Sequence, residues 1–322
     1  MTRIHSRLFT IVGVLLALTA AAPAQEFPTK PVRIIVPFAP GGLNDLVGRM
    51  VATHLTERLG RQVIVENRTG AGGVVGTDLV ANSPKDGHTL LIVSIAHAVN
   101  PWLYKLNYDP SKSFAPIAPI LSSQNVLAVN LDMPVKSLKD FVALAKQQPG
   151  KIQYASGGIG GSLHLAMELF KITAGIDLLH VPFRGAGPAV IDVIGGHTKA
   201  INATIATLSP HIRGGKLRGI GVSGTKRSPV LPEVPTIEEG GVPGYDAGNW
   251  IGIVAPVGTP APIVARLHKE ISGMLDQPDI QKQIAADGSN IMRMSPAEFA
   301  TYMDNEMAKW GRVVKQAGIK AQ

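Results

Sequence analysis

Val32-Arg33-Ile34-Ile35-Val36-Pro37-Phe38-Ala39-Pro40-Gly41-Gly42-Leu43-Asn44-Asp45 carries the decisive reading of this chain. Val32 to Val36 is a buried strand. Pro37, Pro40, Gly41 and Gly42 form a loop, and Asn44 or Asp45 is expected to cap the long helix that follows. Strand, Gly-rich turn and capped helix make the first half of a βα unit. The helix N-terminus of such a unit points free backbone N–H groups at whatever sits above the strand end, which is where an open α/β sheet binds ligand.

Outward from this stretch the pattern repeats. Leu46, Val47, Met50, Val51, Leu55 and Leu59 share one helical face, with Gly60 following as a C′ residue. Gln62 to Glu66 reads as a second strand, Gly70 to Gly76 as a loop opening a short helix that ends near Ala81, and His88 to Ser94 as a third strand. This alternation predicts a parallel, doubly wound sheet.

A second lobe begins near residue 126, where Val126 to Val129 is an apolar run. Leu138 to Lys146 is helical, Ile152 to Ala155 a strand, and Ser156 to Ser162 a Gly-rich loop opening a helix with Leu163, Leu165, Ala166, Leu169 and Phe170. Leu178 to Phe183, Ala200 to Ala206 and Gly219 to Ser223 supply further strands, with Ala189 to Ile194 a helix between the first two. The return crossing is placed at Tyr245 to Val254. Helices from Pro262 to Leu275 and Pro296 to Gln316 pack back on the first lobe. The expected divisions are 25–125 with 247–322 for lobe 1 and 126–246 for lobe 2.

The N-terminus reads as an export signal over 1–24. Arg3, His5 and Arg7 form a basic segment, Leu8 to Ala22 an apolar one, and Ala22-Pro23-Ala24 an A-x-A cleavage site. About 15 apolar residues are short for a span needing roughly 20. The chain has no cysteine, which excludes a lipid-anchored lipoprotein, disulfides and thiolate chemistry. A soluble periplasmic protein is expected. The 322 residues are 45% hydrophobic and only 17% charged, enough for a sizeable core in two lobes. Loss of Arg3 and Arg7 takes the formal charge from +8 to +6. That excess is scattered and aromatics are 5%, so nucleic acid is not an expected partner.

Several stretches occur in an order that resembles one family: Pro40-Gly41-Gly42 with Asp45 and Arg49; Val65-Glu66-Asn67-Arg68; Asp86-Gly87-His88-Thr89-Leu90-Leu91; Asn100-Pro101-Trp102-Leu103-Tyr104; His180-Val181-Pro182-Phe183-Arg184-Gly185; Val234-Pro235-Thr236; and Trp250-Ile251-Gly252. Together they are similar to the Bug family of extracytoplasmic solute receptors, the binding proteins of tripartite tricarboxylate transporters. The resemblance covers essentially the whole chain after the signal. It implies an α/β, type II periplasmic-binding-protein fold, two lobes joined by two crossings with the ligand cleft between them. It further implies no catalysis, no cofactor, and capture of a small carboxylate for membrane transporter subunits. Some members of the family serve instead as sensors, so a receptor for a signalling partner is the alternative. A monomer is expected.

Helix starts at Gly41 to Asp45 and Gly160 to His164 would face each other across such a cleft, each favouring an anion. Phe38, Gly41, Gly42, Leu43 and Asn44 line the first loop, Asn44 standing where many relatives carry Ser, Thr or Gly. Asp45 is read as an N-cap rather than a partner for a ligand ammonium. Ser94, Ala96 and His97 follow the third strand into the cleft, His97 bonding either a ligand oxygen or a neighbouring loop. Gly161, Ser162 and His164 open the second-lobe helix, where Ser162 is either a cleft group or an N-cap. Arg184 pairs either with a distal carboxylate or with Asp192. Thr204 and Ala206 end a second-lobe strand within reach of ligand.

Enzyme signatures are weak or missing. Gly70-x-Gly72-x-x-x-Gly76 is a loose dinucleotide pattern, and Pro110 breaks the helix that would align Tyr108 with Lys112. There is no G-x-S-x-G elbow, phosphate-binding P-loop or H-E-x-x-H zinc helix, and the nine His are scattered.

Overall fold

The structure, a computed structural model, describes residues 27–159, 162–183, 185–286 and 288–319. The export-signal segment, Gly161 and Arg184 lie outside the described residues. Two sheets organise the rest. The first has the order β11-β4-β10-β3-β1-β2, from β1 (Val32–Val36), β2 (Val63–Asn67), β3 (Thr89–Ser94), β4 (Phe114–Ser123), β10 (Asn249–Pro256) and β11 (Ser289–Ile291). The second has the order β7-β6-β8-β5-β9, from β5 (Asn125–Asn130), β6 (Gln153–Ser156), β7 (Leu179–Pro182), β8 (Ala200–Thr204) and β9 (Leu217–Val222). The chain leaves the first sheet after Ser123, enters the second at Asn125, and returns at Asn249.

Neither sheet is wholly parallel, which corrects the sequence expectation. β1 pairs β2 and β3 in parallel, but β10 runs antiparallel between β3 and β4, with Ile251 opposite Ser94 and Leu121. In the second sheet β6 is parallel to β7 and β8, whereas β5 is antiparallel to both β8 and β9. In each lobe the strand that arrives from the other lobe is therefore inverted, and in the first sheet the short edge strand β11 is inverted as well, antiparallel to β4. Alternating helices and strands announce parallel neighbours, and a strand that arrives by a crossing carries no such local mark.

The helices follow from capping and pattern. α1 (Leu43–Leu59) ends at Gly60, whose φ of 65° is the left-handed C-cap conformation. Its N-cap is Gly42, not Asn44 or Asp45. Val47, Val51, Leu55 and Leu59 face the core, whereas Leu46 is 51% exposed. α2 (Val74–Ala81) follows the glycine loop. α3 (Ile95–Leu103) begins directly at the end of β3 and was not expected, because Pro101 sits inside it and its first residues continue an apolar run. α4 (Leu138–Gln147) opens with a Ser137–Asp140 capping box. α5 (Ser162–Ala174) and α6 (Ala186–Ile194) match expectation closely. Ala200 to Ala206 is not one strand: it ends at Thr204, whose hydroxyl caps α7 (Ile205–Arg213) by accepting from the Thr207 N–H at 3.3 Å, and Ala206 is helical. α8 (Ala261–Leu275), α9 (Pro278–Ala286) and α10 (Pro296–Ala317) complete the order.

β1 and β3 are buried on both faces, which explains their near-continuous apolar sequences. α10 packs against α3 and β4 of the first lobe and also against α5 of the second. Trp310, Phe299 and Trp250 of the first lobe thus belong to one buried apolar cluster with Tyr154, Leu165 and Phe170 of the second. Gly252 is required by this packing, since a Cβ there would come 2.3 Å from the Phe299 ring. Among the described residues no helix is long and apolar enough to cross a membrane.

Candidate functional site

A cavity of about 490 Å³ opens between the two sheets. Its first-lobe wall is Phe38 from the β1–α1 loop, Asn44 from the first turn of α1, Gly72, then Ser94, Ile95, Ala96, Val99, Asn100, Leu103 and Tyr104 along α3. Ile159, Ser162 and Leu165 supply the second-lobe wall, and Asn249, the first residue of the returning strand, closes the hinge side. No Asp, Glu, Lys, Arg or His is among these lining residues.

Three helix starts meet here. Asn44 lies in the first turn of α1, Ile95 and Ala96 in that of α3, and Ser162 in that of α5. First-turn N–H groups have no intrahelical acceptor, and each helix end carries roughly half a positive charge, so the arrangement favours an anion without a cationic side chain. Side-chain caps are absent at Gly42 and Ser94, which leaves the first-turn donors of α1 and α3 unclaimed by their N-cap side chains.

The first-lobe loop is held in place before any ligand arrives. Asp45 is 2% exposed and its carboxylate accepts from the Gly41 N–H at 2.9 Å, Arg49 Nε at 3.0 Å and Asn67 Nδ2 at 2.9 Å. The Arg49 guanidinium, with help from Gly41 and Asn67, holds its pKa down to about 2. Asn67 also donates to the Phe38 carbonyl at 3.0 Å. On the neighbouring loop Asn100 Nδ2 donates to the Gly72 carbonyl at 3.1 Å. Gly72 has φ +63°, and a Cβ there would lie 3.2 Å from the Tyr104 hydroxyl, so this position needs glycine on two counts.

Five residues singled out in the sequence, Phe38, Asn44, Ser94, Ala96 and Ser162, share the cavity wall. Gly41, Gly42, Leu43 and Asp45 are not among the lining residues, although Asp45 fixes their loop through the Gly41 N–H. His97 is turned away: its Nε2 pairs with the Pro110 carbonyl at 3.0 Å, the loop bond of its two alternatives, and burial lowers its pKa. His164 is stacked on His180 at 4.0 Å beneath the second-lobe loop, with Nε2 3.8 Å from Glu168. Burial first, and Lys171 second, depress its pKa to about 4. Thr204 caps α7, and neither it nor Ala206 lines the cavity. Asp192, the structural partner suggested for Arg184, accepts from Thr198 N at 3.0 Å and Oγ1 at 2.5 Å.

Asn100, Tyr104 and Asn249 were not singled out, although they lie in or beside the recognised stretches Asn100 to Tyr104 and Trp250 to Gly252. Only Asn249 offered a local signal, a polar residue opening a strand, whereas Asn100 and Tyr104 lie in and just after the last turn of α3. Asn44 and Asn249 have a feature in common: each amide Oδ1 is buried without a hydrogen-bond partner. Carboxamides around a cavity with no charged side chain among its described lining residues can each turn one N–H₂ group toward an anion. Among the described residues no cluster of His, Asp and Glu is placed to hold a metal.

The comparisons with known proteins agree with this geometry. The family described as "Tripartite tricarboxylate transporter family receptor" matches residues 47–319. Protein BugT of Bordetella pertussis is 33% identical over 321 residues, covering 98% of each chain. The R. palustris protein Rpa4515, solved with adipate, superposes with a TM-score of 0.79 at 32% identity, covering 92% of this chain and 100% of its own. MatC from Rhodopseudomonas palustris, solved with malate, gives 0.75 at 33% identity, covering 89% and 100%. The fold is that of the two-lobed periplasmic binding proteins, and the chain belongs to the tripartite tricarboxylate transporter receptor family, whose members are solute-binding receptors of the Bug and TctC type.

Proposed function

We propose that the protein is a periplasmic receptor that captures a small carboxylate between its lobes and delivers it to the membrane subunits of a tripartite tricarboxylate-type transporter. One observation carries the reading: three helix starts and three carboxamides surround a cavity without a charged side chain among its described lining residues. A charge-assisted hydrogen bond contributes roughly 1.5 to 3 kcal/mol, so three or four approach the roughly 8 kcal/mol of micromolar binding before ordering costs. Relatives solved with adipate and malate support the same ligand class. The role is capture, not catalysis. Closure of the lobes is a population shift driven by contacts made only when both walls face the anion. Residues 1–24 direct export and are removed, leaving Gln25 as the first residue.

A thermal-shift screen of the mature protein against mono-, di- and tricarboxylates, each with its neutral amide, tests the ligand class. At 100 times the dissociation constant a ligand stabilises by about 2.7 kcal/mol, a shift of a few degrees. A shift with an acid and none with its amide is the expected result. Equal shifts with both would exclude an anion site.

A further inference from the structure

The second-lobe wall is set by a part of the molecule that does not touch the cavity. Ile159 reaches the cavity from the loop that follows β6, and this loop turns through Gly158 at φ +137°, a conformation that a side chain would oppose. Ser156, 2% exposed at the end of β6, ties the turn together. Its Oγ lies 3.2 Å from both the N–H and the carbonyl of Gly158 and 2.6 Å from Nε2 of His180 on the neighbouring strand β7.

The hydroxyl's capacity decides how these contacts are made. Ser Oγ donates once and accepts twice. All three contacts are satisfied together only when Oγ accepts from Gly158 N–H and from His180 Nε2–H, and donates to the Gly158 carbonyl. With the proton on the other ring nitrogen, Ser156 would have to donate to His180 and release the Gly158 carbonyl. The ring is held for this task by stacking, against Tyr154 at 4.8 Å and His164 at 4.0 Å, and Tyr154 is itself anchored by its hydroxyl on Glu168 at 2.6 Å.

We infer that His180 is a positioning residue: by donating from Nε2 to Ser156 it holds the Gly158 turn and so presents Ile159 to the carboxylate cleft. The link to affinity rests on the receptor function proposed above, while the link to the turn does not.

The test separates the donor from the ring. His180→Phe keeps an aromatic ring in the stack and removes the donor. His180→Gln removes the ring and keeps an amide N–H₂ near the position of Nε2. Exchange of the Gly158 amide, followed by NMR in the ligand-free protein, is expected to accelerate about tenfold or more in His180→Phe and in Ser156→Ala, to stay near wild type in His180→Gln, and to rise no further in the double variant. Adipate and malate titrations are expected to weaken in the same order. Wild-type exchange at Gly158 in His180→Phe would overturn the inference, as would exchange that follows the melting temperatures of the variants instead of the presence of a donor. Failure of the wild type to bind either acid would count against the ligand class alone, since the exchange experiment decides the positioning role without ligand.

Discussion

Trp250 and Trp310 donate to the same oxygen: the indole Nε1 of each lies 3.0 Å from Oε2 of Glu306. Trp250 sits one residue into the returning strand β10 and Trp310 on α10, so one buried carboxylate joins the hinge to the helix that touches both lobes. Lys309 pairs with the other oxygen, Oε1. Replacing Glu306 by Leu leaves two buried indole N–H groups without their acceptor and Lys309 with Asp246 as its remaining partner, and is expected to cost about 3 kcal/mol or more in urea unfolding. A loss below about 1 kcal/mol would mean that the indoles find other acceptors.

Asp45 organises the first cavity loop without lining the cavity. Asp45→Asn retains an acceptor but loses the charge that Arg49 and two further donors share. Chemical denaturation should report a loss of about 2 kcal/mol.

Acidification is expected to weaken the fold in two windows. His164 and His180 are each held near pKa 4 by burial, against an ordinary 6.5. Between those values the unfolded chain takes up protons that the native stack refuses, so stability rises with pH across this range and falls on acidification. Asp45 adds a lower window, from its ordinary 3.8 to about 2, where the unfolded carboxyl is protonated first and stability again falls on acidification. Urea midpoints measured from pH 7 to 3 check the upper window, and His180→Phe should flatten part of it.

Cavity substitutions should separate binding from folding. Ala96 stands in the first turn of α3 on the cavity wall. Ala96→Phe is expected to fill ligand space and weaken carboxylate affinity about tenfold or more, with the ligand-free melting temperature little changed. Asn44→Asp sets a like charge beside the anion and should weaken binding similarly, most strongly at low salt. Isothermal titration at two ionic strengths distinguishes the two mechanisms.

Packing between α3 and α10 offers a further check. A Cβ on Gly311 would come 2.3 Å from the Trp102 ring, whose Nε1 is fixed on the Met307 carbonyl at 2.9 Å. Gly311→Ala should therefore destabilise by about 1 to 3 kcal/mol in the same unfolding assay, with carboxylate affinity retained.

The fold was legible wherever a local pattern carried it. β1, β3, α1 and α10 all announce themselves through continuous apolar runs or caps. β4 did not, because Pro116 and Pro119 interrupt it. A strand tolerates proline only where a ladder bond is missing, and here β11 pairs with β4 only at Leu121 to Ser123, beyond both prolines. α7 was hidden because Ile205 and Ala206 extend the apolar run of β8, and the cap that ends the strand is a single threonine hydroxyl. At the site, loops read as Gly-rich turns gave Phe38, Asn44 and Ser162. Asn100 and Tyr104 depend on the register of a helix that Pro101 concealed, and Asn249 on a crossing whose end point no local pattern marks.

The inverted strands that arrive by the crossings also fix an order of assembly. Until residue 249 has been delivered, the first sheet has a seam between β3 and β4 that β10 alone fills, so its edges stay open while everything from Asn125 to Val222 is made. The second sheet has no such debt, because all five of its strands lie within that interval. A chain threaded from its N-terminus therefore begins the first lobe, can complete the second, and only then seals the first, with the longest loop closure coming last. The lobe that holds β1 is the one that must wait for β10.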